Sequence, residues 1–283
     1  MSHDVVYIVG PGSDYHPELR YSLRSVAANL PHRQVWIVGH KPSWVTNVNW
    51  VPTAQPSRVK YRNSLRNLII ACQQDDLTTT FTLFNDDFYA MHPGRHAPVA
   101  HRGTLTEMLR AAKYRTRKTS DYLHALHLVR THLQDERGIT DPLSYELHVP
   151  MPINKTKFLN VIDGYEHDDM MVGVAKRSLY GNLAGIGGDK MKDPRPVAPG
   201  FWNWDWISSN DESFKPGLIT RTFIEHAFPT RCQYEDKTTA PRTTTRAWVN
   251  TGLLKPGAMR IRTAQPGSSL AERLDDEPTW LAV

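Results

Sequence analysis

The chain has 283 residues, of which 40% are hydrophobic and 22% charged, with a formal net charge of +5. These proportions are typical of a folded globular protein and exclude fibrous and intrinsically disordered classes. Its longest purely apolar runs, such as residues 5–9, are far shorter than the roughly 20 residues of a membrane span. Two cysteines are too few for a disulfide framework or a four-thiolate zinc site. Because the start lacks a secretory signal pattern, we expect a cytoplasmic protein with free thiols.

Strand and helix patterns alternate along the first third of the chain. Short apolar runs predict strands, and apolar residues at helical spacing predict helices. The strands are expected at 5–10, 35–39, 48–52 and 80–86, and the helices at 18–30 and 62–73. This order implies an α/β fold with a mostly parallel sheet and right-handed crossovers. Ligands bind such sheets at the carboxyl ends of the strands, so the loops 11–14, 39–42 and 85–87 should share one edge.

The rest of the chain is less regular. Helical spacing predicts helices at 119–138, at 154–162 with Asn154 as the cap, and at 212–228 with an interruption near Pro216, while 144–150 is a strand candidate. With no repeat and no clear linker, we expect a single domain over 1–270. It would consist of an α/β half at 1–100 and an elaboration at 101–270, followed by a polar tail at 271–283.

Adjacent carboxylates end the fourth predicted strand, in the run FNDDF at 84–88. Asp86 and Asp87 would repel each other unless a cation lies beside them. Carboxylate oxygens suit Mg²⁺ or Mn²⁺, and such an ion could neutralise a departing nucleotide diphosphate. The alternative is an acidic turn with no ligand. The preceding buried strand and the flanking Phe84 and Phe88 favour the metal site.

The first loop, GPGSD at 10–14, suits close approach of a nucleoside to the backbone, so Gly12 and Asp14 are donor-binding candidates. It is not a dinucleotide fingerprint, because Tyr15 stands where the third glycine would be. The chain also has no Gly-Lys-Ser/Thr phosphate-binding loop. Both observations argue against NAD-dependent redox chemistry and against P-loop phosphoryl transfer.

Several basic and amide groups could contact a phosphate or a base. The candidates are Lys60, Arg62 and Asn63 at a helix start, and Arg177, Tyr180 and Asn182 in KRSLYGN. His148 could be a third metal ligand or an acid–base group, although a lone histidine is more often structural. The basic run at 110–118 could bind a polyanion, although such runs are usually solvated.

Four blocks of the chain resemble the Stealth family and related phage-encoded glycosyltransferases. They are DVVYIVGPGSD at 4–14, ELRYSLRSV at 18–26, VWIVGHKPSWV at 35–45 and FNDDFY at 84–89. Weaker matches follow at 144–158 and 209–235. One departure is that the first strand continues as Ile-Val-Gly-Pro-Gly-Ser-Asp, where Stealth proteins usually have Trp-Val-Asp-Gly-Ser-Asp.

The resemblance implies a GT-A-like, Rossmann-like nucleotide-diphospho-sugar fold with a helical elaboration. By position, Asp86 and Asp87 would bind Mn²⁺ or Mg²⁺, and His148 would be a site histidine. Asp14, Arg20 and Arg24 would lie in or beside the donor pocket, and Asp211 would return to the site from the C-terminal half. From the residues themselves, we add Asn85 to the donor-binding candidates and Arg177 to the catalytic candidates.

Three functions remain open at this stage. The first is a glycosyltransferase that moves a sugar from a nucleotide-diphospho-sugar to an acceptor hydroxyl. In the phage setting that the resemblance suggests, the acceptor would be a virion protein, a modified DNA base or an envelope glycan, and the enzyme would work in the host cytoplasm. The second is a Stealth-type sugar-1-phosphate transferase, and the third is a non-enzymatic nucleic-acid-binding protein. The sequence favours the first.

Overall fold

The computed structural model describes residues 2–111, 120–166, 169–195 and 203–236. Most of the basic run at 110–118 and the whole tail at 271–283 lie outside this part of the chain. Within it, no helix combines the length and the apolar character needed to cross a membrane.

Nine strands and seven α-helices are named here in chain order, within the described ranges. The strands are β1 Asp4–Val9, β2 Val35–Gly39, β3 Asn49–Val51, β4 Thr80–Phe84, β5 Phe88–Ala90, β6 Ala100–His101, β7 Met151–Asn154, β8 Asp189–Lys190 and β9 Trp206–Ser208. The helices are α1 Pro17–Asn29, α2 Lys60–Cys72, α3 Leu105–Arg110, α4 Asp121–Thr131, α5 Lys155–Ile162, α6 Met170–Leu183 and α7 Ile219–Ala227. A π-helical turn, His132–Glu136, extends α4.

A five-stranded sheet in the order β3-β2-β1-β4-β7 forms the centre of the molecule. Strands β1 to β4 are parallel, and β7 runs antiparallel to β4. The order 3-2-1-4 is that of doubly wound sheets, in which the chain reverses direction across the sheet between β1 and β4. The predicted α/β class and the mostly parallel sheet are therefore confirmed.

Helices cover both faces of this sheet because its strands are apolar on both sides. Val5, Tyr7 and Val9 of β1 pack with α1 on one face. Val6 of β1 lies on the other face, in the core that contains α2, α4, α5 and α6. Alternate residues of a strand point to opposite faces, so a continuous apolar run fits a sheet covered on both sides.

The six elements predicted in the first third of the chain are confirmed, as is the Asn154 cap, whose side chain accepts from the Lys157 amide. The predicted strand at 144–150 is wrong. There the backbone hydrogen bonds go to side chains instead of a neighbouring strand. The Tyr145 amide donates to the Ser178 hydroxyl, and Arg177 donates to the carbonyls of Leu147 and Val149. The strand begins only at Met151, after Pro150.

Candidate functional site

The loops that follow β1, β2 and β4 meet at the carboxyl edge of the sheet, as predicted. His16, after β1, contacts Asp86, after β4, at 3.0 Å between Nε2 and Oδ2. Ser43, after β2, donates its amide and its hydroxyl to the Asp14 carboxylate at 3.0 and 2.6 Å. The contact between His16 and Asp86 bridges β1 and β4, the switch point at which doubly wound folds bind their ligands.

Asp87 is the least compensated carboxylate at this edge. Its Oδ1 is buried and has no hydrogen-bond partner in the described ranges, and its Oδ2 accepts a long bond of 3.4 Å from the Ser208 hydroxyl. Burial and, to a lesser extent, the charges of Asp86 and Glu18 together raise the pKa of Asp87 to about 8. Burial also raises the pKa of Glu18, although its carboxylate accepts a 3.0 Å bond from Ser209. Three carboxylates therefore share this corner.

The carboxylates of this corner are of the ligand type that a divalent cation takes. A buried carboxylate oxygen without a partner, next to two more carboxylates, is the donor environment that Mg²⁺ and Mn²⁺ prefer. Within the described ranges, no group of three or more His, Cys, Asp or Glu side chains is arranged to hold a metal ion. Asp86 and Asp87 would then be the protein ligands, as in Mg²⁺ sites where one or two carboxylates act together with substrate phosphates and water.

His148 lies near this corner but has other partners. Its ring is 6.4 Å from the ring of Phe88, the residue that follows Asp87. Its Nδ1 bonds to the Asp193 carboxylate at 2.9 Å, and its Nε2 contacts the Arg195 guanidinium. Burial lowers the pKa of His148, so at neutral pH the ring is neutral, donates from Nδ1 to Asp193 and accepts at Nε2. This arrangement leaves neither nitrogen open to a metal.

Arg177 lies on α6, two residues beyond a kink at Ala175. Its Nη1 donates to two backbone carbonyls, and its guanidinium lies 5.6 Å from the Phe88 ring centroid. Its Nη2 is buried without a hydrogen-bond partner among the residues described. Arg177 is therefore at the predicted site, and its charge acts on Asp87.

Arg20 and Arg24 do not line this corner. Both side chains are buried against Glu235, at 2.9 Å from Arg20 and at 2.6 and 2.9 Å from Arg24. Arg20 also stacks 4.1 Å from the Trp44 ring centroid, and Arg24 donates to the Phe228 carbonyl. Residues from the blocks at 18–26, 35–45 and 209–235 thus meet in one buried ion-pair cluster.

Most other candidates in the N-terminal half have local partners. The Asn63 side chain accepts a hydrogen bond from the Ser57 amide and donates one to the Ser57 carbonyl. It therefore orders the loop before α2. Lys60 is exposed beside Tyr61, whereas Arg62 keeps a buried Nε without a partner in the described chain. Gly12 is exposed, and a Cβ there would meet no atom closer than 4.0 Å.

The remaining candidates divide between the site and the core. Asn85 directly precedes the acidic pair, and Asp211 is exposed with its charge acting on Glu18. Tyr180 accepts the Asn154 amide, and Asn182 bonds to the backbone of Leu143, so these two hold the core together.

Four residues of the site were missed by the sequence analysis: His16, Glu18, Asp193 and Arg195. Glu18 stands in the first turn of α1, where an acidic residue usually stabilises a helix N-terminus. Asp193 and Arg195 belong to a segment without regular secondary structure, so no periodic pattern singled them out. The contact between His16 and Asp86 joins residues 70 positions apart and has no local signal.

Fold and site together define an α/β protein with an acidic pair at the carboxyl edge of its parallel strands. No family model and no curated protein matches the chain. The Stealth resemblance therefore has no support beyond the quoted motifs. Among solved structures, the chain is similar to galactosyltransferase LgtC in complex with donor and acceptor sugar analogs. The two share 11% sequence identity with a TM-score of 0.47, over 84% of this chain and 98% of that one.

Proposed function

We propose that the protein is a metal-dependent glycosyltransferase that moves a sugar from a nucleotide-diphospho-sugar to an acceptor hydroxyl. The observation that carries this proposal is the buried Oδ1 of Asp87 at the switch point of the sheet, which has no hydrogen-bond partner among the described residues. A carboxylate in that state, with Asp86 and Glu18 beside it, favours a bound cation. The quoted sequence motifs, which resemble nucleotide-sugar enzymes, support the choice of donor.

Asp86 and Asp87 would hold the ion, with Mn²⁺ or Mg²⁺ as the candidates. When bound, it would supply positive charge to the diphosphate that leaves during transfer. His16 contacts Asp86 at 3.0 Å and fixes that carboxylate against the loop after β1. Arg177 adds an N–H group on the α6 side of the site. Donors that are fixed in place before the reaction stabilise developing charge without reorganisation.

The acceptor hydroxyl must lose its proton during transfer. Asp211 is exposed, and its charge reaches Glu18, so an incoming acceptor could meet its carboxylate. We assign proton acceptance to Asp211. Through its bonds to Asp193 and Arg195, His148 would orient the arginine side of the site.

The bond that breaks decides between two related reactions. Attack at the anomeric carbon releases a nucleoside diphosphate, whereas transfer of the sugar 1-phosphate releases a nucleoside monophosphate. The motif resemblance includes enzymes of the second kind, and the departure in the first strand favours the first kind.

A panel of nucleotide-sugars tests the proposal. The purified protein is incubated with each donor in Mg²⁺, in Mn²⁺ and in EDTA, and the released nucleotide is identified by mass. We expect slow, metal-dependent release of a nucleoside diphosphate from at least one donor, with or without an acceptor. If no donor is consumed, or if release is equal in EDTA, the proposed activity is wrong. Release of a monophosphate would establish the sugar-1-phosphate reaction instead.

A further inference from the structure

Two arginines beside the acidic pair keep buried N–H groups that bond to nothing in the described chain. They are Nη2 of Arg177 and Nε of Arg195. Arg177 as a whole is only 7% exposed. A buried guanidinium N–H without an acceptor costs free energy, so native proteins rarely keep one without a reason.

Neither side chain can turn freely to satisfy itself. The Arg195 guanidinium contacts Nε2 of His148, and Nδ1 of His148 bonds to Asp193 at 2.9 Å. Asp193 in turn lies 3.7 Å from Arg102. Arg177 is fixed by the carbonyls that its Nη1 holds at 2.6 and 3.1 Å. The unpaired N–H groups are therefore kept in place by other bonds of the same side chains.

Asp87 lies near both arginines without pairing to either. The charges of Arg195 and Arg177 act on Asp87. Yet Oδ1 of Asp87 is itself buried and has no partner in the part of the chain that the structure describes. Within the described chain, the arginine donors and the Asp87 acceptor thus stay unsatisfied beside one another. This is expected when an anion binds the arginines and a cation binds Asp87.

We propose that Arg177 and Arg195 form a subsite for one phosphoryl group next to the Asp87 carboxylate. His148 and Asp193 are positioning residues for Arg195. A phosphoryl group suits the two guanidinium groups because it offers several acceptor oxygens in a geometry that arginine matches. The inference rests on the proposed function for the source of that group, which is either the donor diphosphate or a phosphorylated acceptor.

Anion binding can be measured without any turnover. Isothermal titration calorimetry with inorganic pyrophosphate and with inorganic phosphate, each in EDTA and in Mg²⁺, compares the wild type with Arg195→Gln. Because a hydrogen bond to a charged group is lost, we expect the affinity of Arg195→Gln for at least one anion to fall by about tenfold or more. The matched control is Arg66→Gln, which removes an equal charge from an exposed position on α2.

Two further variants separate binding from general damage. Arg195→Lys keeps the charge and should keep part of the affinity that Arg195→Gln loses. His148→Gln should weaken binding of the same anion, although its side chain would touch no ligand, and circular dichroism checks that each variant is folded. An effect on melting temperature alone, with unchanged anion affinity in Arg195→Gln, would overturn the proposal.

The two sources give different results. If the phosphoryl group belongs to the donor, Mg²⁺ should tighten pyrophosphate binding, and Asp87→Asn should abolish that tightening. If it belongs to an acceptor, phosphate should bind equally well in EDTA and in Mg²⁺. Failure of the metal site alone would remove the Mg²⁺ effect but leave the loss in Arg195→Gln. The subsite is wrong if the wild type binds neither anion, or if Arg66→Gln loses as much affinity as Arg195→Gln.

Discussion

Arginines lie beside carboxylates in two buried clusters of the described chain. The clusters differ in how many of their polar atoms have a hydrogen-bond partner. In the clamp, formed by Arg20, Arg24 and Glu235, both oxygens of Glu235 accept guanidinium N–H groups at 2.6–2.9 Å. In the acidic site, Asp87, Arg177 and Arg195 each keep a buried polar atom without a partner in the described part of the chain.

The pKa values of the two acidic residues move in opposite directions. Burial raises the pKa of Glu235, but the hydrogen bonds and charge of Arg24, the Cys232 amide and the charge of Arg20 together outweigh it, and the pKa ends below its ordinary value. Burial, together with the charges of its acidic neighbours, raises the pKa of Asp87 to about 8. We expect the satisfied cluster to stabilise the fold, and the unsatisfied one is where we propose that a ligand binds. Four predictions test this contrast.

The largest expected effect is on stability at the clamp. Glu235→Gln leaves two arginines buried without a carboxylate, so the free energy of unfolding should fall by about 3–5 kcal/mol in urea denaturation. Donor turnover by the folded fraction should change little. Glu212→Gln, which breaks a solvent-exposed pair with Lys215, is the control and should have no measurable effect on stability. A negligible loss in Glu235→Gln would mean that the clamp is not structural.

The next effect is on turnover at the acidic site. Asp87→Asn removes a ligand of the proposed ion, so donor turnover should fall about a hundredfold or more, since metal-ion catalysis contributes several kcal/mol. Stability in EDTA should equal that of the wild type near pH 7, where the Asp87 carboxyl is mostly protonated, and should exceed it above pH 8, where Asp87 would carry a poorly compensated buried charge. The matched control is Asp75→Asn, which changes an exposed Asp-Asp pair in the same way. Normal turnover in Asp87→Asn would contradict the metal assignment.

A smaller effect is expected at His148. His148→Ala releases Arg195 from its orienting contact, so turnover should fall by about tenfold or more, a size typical of a lost positioned group. Combining it with Arg195→Gln should add little, because both changes disrupt one unit. Steady-state kinetics measure turnover, and the melting temperature reports the stability of each variant. A lower melting temperature with unchanged turnover would make His148 a purely structural residue.

The smallest effect concerns pH. Because the pKa of folded Glu235 lies below its ordinary value of 4.5, its contribution to stability is complete above pH 4.5 and is lost as pH falls through the folded value. The difference in unfolding free energy between wild type and Glu235→Gln should therefore narrow below pH 4.5. Urea denaturation across that range measures the difference. If the difference in unfolding free energy stays constant with pH, the charge of the Glu235 carboxylate does not stabilise the clamp.

Local pattern was enough to predict the four parallel strands of the sheet. Each strand and helix of the first third has a continuous apolar run or a helical stripe, and both depend on residues a few positions apart. The direction of the parallel strands then predicts which loops meet. The segment 144–150 was misread because its alternating pattern resembles a strand, while its backbone bonds go to Ser178 and Arg177.

The acidic pair shows what the sequence by itself determined. The chain has one Asp-Asp pair just before β4, at 75–76, and another just after it, at 86–87. Strand direction places only the second at the carboxyl edge, beside the loop after β1. The pattern of strands and helices thus predicted that the second pair lies at the ligand-binding edge, and this depended only on chain order.

Only the tertiary structure decided which arginines belong to the site. Arg20 and Arg24 belong to the ELRYSLRS motif, yet both form ion pairs with Glu235, more than 200 residues away in the sequence. Arg195 belongs to no motif and still lies on His148, because Asp193 holds that ring in place. An arginine forms an ion pair with whichever carboxylate the fold brings close, and that distance depends on the packing of remote segments.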